Sequence, residues 1–289
     1  MADPASRVIR NRQQFTKAAT APRSKVVRTH GGTRLLRLIR LALHIGRAVA
    51  AGALVFPFLD RAGCADYAKQ WSARLLAILA VRLEISGTPP VTSAPATMII
   101  ANHVSWLDIF AINATHAVRF VAKSEIRRWP LFGWVCERVG TVFIHRRRRH
   151  HIAQVNREVV SALRRGELFA VFPEGKITTG DKLLPFNSAL LQPALTCDAA
   201  LCPVAIRYTR VDGSLCSEAD YEGDKSMLDS LLLMVTQPAI YVRLHFLPPL
   251  DCAGKHRRAL AQEAAQLIAN SLGVAAPGTR AGTTSGRKA

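Results

Sequence analysis

The sequence predicts an α/β fold, a mostly parallel sheet flanked by helices, preceded by an N-terminal membrane-associated helical segment. Three observations predict it. Short apolar runs alternate with helical stretches from about residue 97 to residue 272. Strands buried on both faces read as such continuous runs, and their alternation with helices implies parallel pairing. Ahead of them lies a stretch dense in arginine and leucine, followed by an uncharged run at residues 48–59. The residues with chemical potential cluster where predicted strands end, as sites do in open α/β sheets.

Residues 1–33 are polar and basic, with Gly31-Gly32 and no apolar period, and are predicted to form a flexible arm. Residues 34–86 are predicted as membrane-associated helices. Arg37, Arg40, His44 and Arg47 recur at spacings of 3, 4 and 3 among Leu35, Leu36, Ile39, Leu41, Leu43 and Ile45. A basic stripe opposite aliphatics is the pattern of a helix lying in an anionic bilayer interface. The uncharged run is twelve residues long, short of the ~20 needed to span, and two arrangements stay open: a tilted span or a shallow insertion. A second apolar helix is predicted over 71–83.

Residues 87–275 form the predicted main domain. Strands are expected at 97–101, 119–122, 140–145, 168–172, 201–208 and 241–246. Helices are expected at 106–114, 129–139, 152–164, 188–197 and 257–272. The tail 276–289, rich in Gly, Thr and Ala, is predicted to be disordered.

Composition narrows the partners. The formal charge is +19, from 39 Lys and Arg against 20 Asp and Glu, which calls for nucleic acid, an acidic membrane or phosphorylated substrates. Residues 1–47 carry eleven Lys and Arg against Asp3 alone. The six cysteines contain no C-x-x-C pair and no zinc-site spacing, and with no secretory signal they read as reduced thiols of a cytosol-facing protein.

The most informative segment is Asn102-His103-Val104-Ser105-Trp106-Leu107-Asp108, between a buried strand and a helix. In one continuous helix, residues five apart diverge by about 140°. His103 and Asp108 therefore meet only if His103 lies in the loop and Asp108 in the first turns. A carboxylate then holds one imidazole nitrogen and leaves the other to accept a proton. Such a pair suits deprotonating an alcohol as it attacks a carbonyl. Ser105 lies outside any G-x-S-x-G elbow and reads as a helix-start hydroxyl.

Three more segments follow in order. Gly140 to Arg146 delivers an arginine at a strand end, where its planar fork suits a phosphate; Arg147–Arg149 read equally well as a solvated turn. His145, His150 and His151 lack acidic or cysteine companions, so no metal site is predicted. Phe172-Pro173-Glu174-Gly175-Lys176 places an acid in a tight loop at another strand end. Leu201-Cys202-Pro203-Val204 is a buried strand without evident chemistry.

Together these segments resemble the glycerolipid acyltransferase family typified by lysophosphatidic acid acyltransferase, whose motifs are N-H-x4-D, G-x-x-F-I-x-R, F-P-E-G-T-R-S and V-P-V. The resemblance extends from about residue 71 to 250 and includes Lys123-Ser124-Glu125 and Trp129-Pro130-Leu131-Phe132-Gly133. It implies that His103 is the general base and Asp108 its orienting partner, and that Arg146, Glu174 and Gly175 bind a phosphate-bearing acceptor, with Lys176 as a nearby cation. The implied donor is acyl-CoA or acyl-carrier protein, with no cofactor and no metal, and the implied place is the inner, cytoplasmic membrane with the catalytic domain on its cytoplasmic side. Lys176-Ile177-Thr178 stands where Thr-Arg-Ser is commonest. Lysine lacks the arginine fork, so lysophosphatidic acid and lyso-ornithine lipid both stay open as acceptors. A nucleic-acid-binding module would explain the charge but neither the four ordered motifs nor the run 48–59, and no nucleic acid partner is expected.

Overall fold

The computed structural model describes residues 28–90, 96–123, 137, 141–144, 149–220 and 226–277. Its framework is a seven-stranded sheet in the order β1-β7-β6-β2-β5-β3-β4. The strands are β1 (Val81–Gly87), β2 (Thr97–Ala101), β3 (Val118–Lys123), β4 (Val142–Ile144), β5 (Leu168–Val171), β6 (Ala200–Thr209) and β7 (Ile240–Phe246). Every neighbouring pair is parallel except β6 with β7. The fold is therefore the α/β arrangement the alternation predicts.

Side-chain parity divides the core into two layers. Ile99 and Ala101 of β2, Leu168 and Ala170 of β5, and Cys202, Val204, Ile206 and Tyr208 of β6 join one cluster. It is covered by α1 (Gly31–Leu54), α2 (Arg61–Ile78), α3 (Asp108–Thr115) and α6 (Met227–Met234). Met98, Ile100, Phe169, Val171 and Leu201 join the other, with Val155, Val159 and Leu163 of α4 (Arg149–Arg164), Ala194 of α5 (Gln192–Thr196) and Leu260 of α7 (Arg257–Leu272). All five residues of β2 are buried, which is why it reads as an uninterrupted apolar run.

Several boundaries move, each for a local reason. The helix expected over 71–83 ends at Ile78, and Ala80 takes a left-handed φ of 55°. The chain then forms β1, paired with β7 far along the chain; its alternation of Val81, Leu83 and Ile85 with Arg82, Glu84 and Ser86 is a strand pattern that the expected helix ran over. The helix expected over 188–197 is a 3-10 turn, Ser188–Leu191, followed by α5. Pro193 has no N–H to donate back to residue 189, so one continuous helix cannot run through it. Helix α6 went unread; a Ser226/Asp229 capping box starts it. The helix expected over 129–139 lies, apart from Glu137, outside the described residues. So do residues 1–27 of the arm, Gly140 and His145 of the strand expected over 140–145, and 278–289 of the tail. At the arm's end Thr29 N–H donates to Thr236 O at 2.8 Å and α1 begins at Gly31, so residues 28–33 belong to the folded part.

The expected basic stripe of α1 is corrected. Arg37 turns inward and donates to the carbonyls of Val235 (3.1 Å), Gln237 (2.6 Å) and Pro238 (3.1 Å). There it satisfies carbonyls freed where α6 ends, at the negative pole of that helix. His44 is buried, stacks on Trp71 at 4.7 Å, and its Nε2 lies 3.1 Å from Trp71 O. Arg40 and Arg47 remain exposed. They share the outer surface with Leu35, Leu36, Ile39, Leu43, Ile45 and Leu54, and Phe58 just beyond is 87% exposed. The aliphatics, rather than a continuous basic stripe, thus form the outward face. Among the described residues no helix is long and apolar enough to cross a membrane.

Candidate active site

The site forms at the carboxyl ends of β2 and β5. Asn102 closes β2 by pairing its side chain with β6: Ile206 N–H donates to Oδ1 at 2.7 Å and Nδ2 donates to Ile206 O at 3.0 Å. Helix α3 starts only at Asp108, five residues beyond His103, because residues 103–107 remain a loop. The helix expected from 106 therefore begins two residues later, and this delay brings the pair together. His103 Nδ1 lies 2.8 Å from Asp108 Oδ2.

Asp108 is fully buried. Its Oδ2 also accepts from Val104 N–H (2.8 Å) and Ser105 N–H (3.0 Å), and its Oδ1 accepts from the Tyr208 hydroxyl (2.8 Å). A buried carboxylate persists only when so satisfied. Facing an acceptor, His103 Nδ1 must donate, which leaves Nε2 with the lone pair. The imidazole retains 17% exposure and stacks on Phe172, with centroids 4.1 Å apart and planes at 12°. Ser105 Oγ accepts from Leu107 N–H at 3.3 Å within the loop; the N-cap of α3 is Leu107 and has no side-chain cap, so Ser105 shapes the turn before the helix rather than capping it.

The loop after β5 holds His103 from the other side. Glu174 Oε1 accepts from His103 N–H and Oε2 from Leu184 N–H, both at 2.8 Å. Thr178 N–H donates back to His103 O at 2.9 Å, and its buried hydroxyl lies 3.3 Å from the same carbonyl. Gly175 takes φ 68°, the left-handed conformation that makes this turn favour glycine. Burial pushes the Glu174 carboxyl up to about 7, with Asp108 adding repulsion against the two main-chain donors. Burial, with the Asp108 charge adding to it, likewise pushes the Tyr208 phenol well above its ordinary 10.

The structure thus brings His103, Asp108, Glu174 and Gly175 together and leaves Lys176 exposed nearby in the chain. Arg146 lies outside the described residues. Glu174, which the resemblance groups with the acceptor-binding residues, has both oxygens engaged by the main chain; its geometry is that of a brace, and an anion there would repel an acceptor phosphate. Tyr208 and the stacking of Phe172 escaped the sequence reading. Tyr208 stands about 100 residues from Asp108, and only the parity of β6 could have hinted that it faces α3.

An acyltransferase family model matches residues 82–207. A lyso-ornithine lipid O-acyltransferase from Pseudomonas aeruginosa is 36% identical over 250 residues, covering 84% of this chain and 93% of that protein. The chain belongs to the acyltransferase family. A 1-acyl-sn-glycerol-3-phosphate acyltransferase from Neisseria meningitidis is 37% identical to this acyltransferase over 184 residues, or 64% of this chain and 71% of that one. Its fold is shared with the 1-acyl-sn-glycerophosphate acyltransferase PlsC of Thermotoga maritima, at a TM-score of 0.63 and 22% identity over 83% of this chain and 93% of that one. The His103–Asp108 loop and the Glu174 loop both fall inside the matched span of the acyltransferase.

Proposed function

We propose that this acyltransferase moves a fatty acyl group from the thioester of acyl-CoA or acyl-carrier protein to the free hydroxyl of a lysolipid, with His103 as general base. The observation that carries this reading is the 2.8 Å contact of His103 Nδ1 with the buried Asp108, which fixes the tautomer and keeps Nε2 a base. The acceptor hydroxyl gives its proton to Nε2 as its oxygen attacks the thioester carbonyl. The new C–O bond forms, the C–S bond breaks, and the imidazolium returns the proton to the departing thiolate. The thioester is already activated, so the scheme requires neither an acyl-enzyme nor a cofactor. Glu174 braces the His103 main chain, while Arg146 and Lys176 supply positive charge for an anionic headgroup.

The first reading of the acceptor is lysophosphatidic acid, giving phosphatidic acid in phospholipid synthesis, as the motif order suggests. Lyso-ornithine lipid is a second reading. It is favoured by the Pseudomonas relative, of which this chain covers 93%, and by Lys176-Ile177 in place of the commoner Thr-Arg. The exposed aliphatic face of α1, with Arg40 and Arg47 among it, supports docking in an anionic bilayer interface, with the site on the cytoplasmic side of the inner membrane.

The test offers purified protein in detergent a labelled acyl-CoA or acyl-carrier protein with each lysolipid in turn. The expected result is one diacylated product. His103→Ala should lower its rate by ~10²–10⁴, and Asp108→Asn should impair it severely by misorienting the imidazole. A His103→Ala protein that turns over at the wild-type rate refutes the mechanism.

A further inference from the structure

The two oxygens of Asp108 are held in different ways. Oδ2 has three donors, all from residues 103–105 of the adjoining loop. Oδ1 has one donor among the described residues, the hydroxyl of Tyr208, which comes from β6 about 100 residues away. The terminal torsion of an aspartate is broad, so its own rotamer does not define the carboxylate plane. A donor from a second rigid element defines it. We propose that Tyr208 is a positioning residue for acyl transfer, its hydroxyl fixing the Asp108 carboxylate so that Oδ2 aims at the His103 ring nitrogen.

The residue type fits the task. Tyr208 shares a face of β6 with Cys202, Val204 and Ile206, all packed against the layer that contains α3. A rigid ring spans from strand to helix with one donor at its tip and few rotamers to freeze. Burial and the neighbouring Asp108 charge keep the phenol protonated well above its ordinary 10, so it donates at every pH at which the enzyme is assayed. Phenylalanine would fill the same space and leave Oδ1 buried without a donor. The hydrogen bond also draws charge from the carboxylate, so removing it leaves Asp108 a stronger acceptor for the imidazole N–H.

The inference rests on His103 and Asp108 being the reacting pair, and its test separates the two ideas. Tyr208→Phe should lower kcat by roughly tenfold to a hundredfold while the KM for thioester and for lysolipid stays unchanged. The acid limb of its kcat profile should move to higher pH, because a carboxylate relieved of this donor carries more charge towards a protonated imidazole. In an Asp108→Asn background the same change should cost little, since the two residues act as one unit. Should Tyr208→Phe fail to fold, 3-fluorotyrosine at position 208 keeps the packing and strengthens the donor; the acid limb should then move to lower pH. An unmoved pH profile in the fluorotyrosine protein, or full additivity of the two substitutions, overturns the inference. With His103→Ala inactive in the same assay, that outcome would reject Tyr208 alone; an active His103→Ala would reject the base itself.

Discussion

Glu174→Gln tests whether a carboxylate braces the histidine loop. The substitution preserves shape, but glutamine has one accepting oxygen where Glu174 uses two, for His103 N–H and Leu184 N–H. One amide donor then faces a side-chain NH₂, leaving a buried group unsatisfied at a cost of about 1–3 kcal/mol. The charge works in the opposite sense. Raising the carboxyl from its ordinary 4.5 to about 7 means that the ionised form is disfavoured in the folded protein by roughly 3 kcal/mol. Because the folded value is raised, the native state binds the extra proton between pH 4.5 and about 7. The stability linked to it is present in full below 4.5 and is lost as pH rises through about 7. Glutamine does not titrate. Wild-type protein should therefore be more stable than Glu174→Gln by its widest margin near pH 5, and the margin should narrow or reverse above pH 8. Thermal unfolding in detergent at pH 5, 6, 7 and 8 reads this difference. Acyl transfer, measured at pH 8, should fall about tenfold or more through kcat, because the main chain of the proposed base is loosened. A margin that widens with pH would show that the carboxyl is not raised. Unchanged kcat would show that the brace does not position His103.

Three further outcomes follow from the remaining geometry. Arg37→Ala removes three hydrogen bonds to the carbonyls of Val235, Gln237 and Pro238; it should lower stability by about 1.5–3 kcal/mol, read by chemical unfolding, while leaving flotation with anionic liposomes intact. Leu36→Gln with Leu43→Gln alters side chains that are 47% and 59% exposed; liposome affinity should drop by about tenfold or more per leucine that enters the bilayer, with the melting temperature nearly unchanged. If Arg37→Ala loses the vesicles and the leucine pair keeps them, the basic stripe rather than the apolar face is the anchor. Arg146→Ala should raise the acceptor KM far more than the thioester KM, consistent with loss of a charge-assisted contact of ~1.5–3 kcal/mol; a rise confined to the thioester KM refutes its assignment to the acceptor.

Much of this protein was legible in one dimension because its signals are local. β2 reads as four consecutive apolar residues after Thr97 because both of its faces are covered, and α7 matches its expected span of 257–272 because its period and flanking loops are intact. For His103 and Asp108 the spacing set the condition, since residues five apart can meet only across a loop-to-helix junction, and the resemblance supplied their roles. What the chain could not show by itself depends on partners distant in sequence. β1 pairs with β7, far along the chain, and its alternation of Val81, Leu83 and Ile85 with Arg82, Glu84 and Ser86 was hidden because the helical period before it was carried on to residue 83. The four basic residues at helical spacing on α1 did not reveal which of them face outward. That was decided by the end of α6, which draws Arg37 inward, and by Trp71, which stacks on His44. The same holds at the site. Sequence names an acid in the Phe172-Pro173-Glu174-Gly175 loop, but only the folded chain shows its oxygens bound to His103 and Leu184 amides. Tyr208 carries no motif. Its meaning arises because burying Asp108 in a low-dielectric core demands a donor for each oxygen, and the hydroxyl that meets Oδ1 comes from the face of β6 that α3 covers.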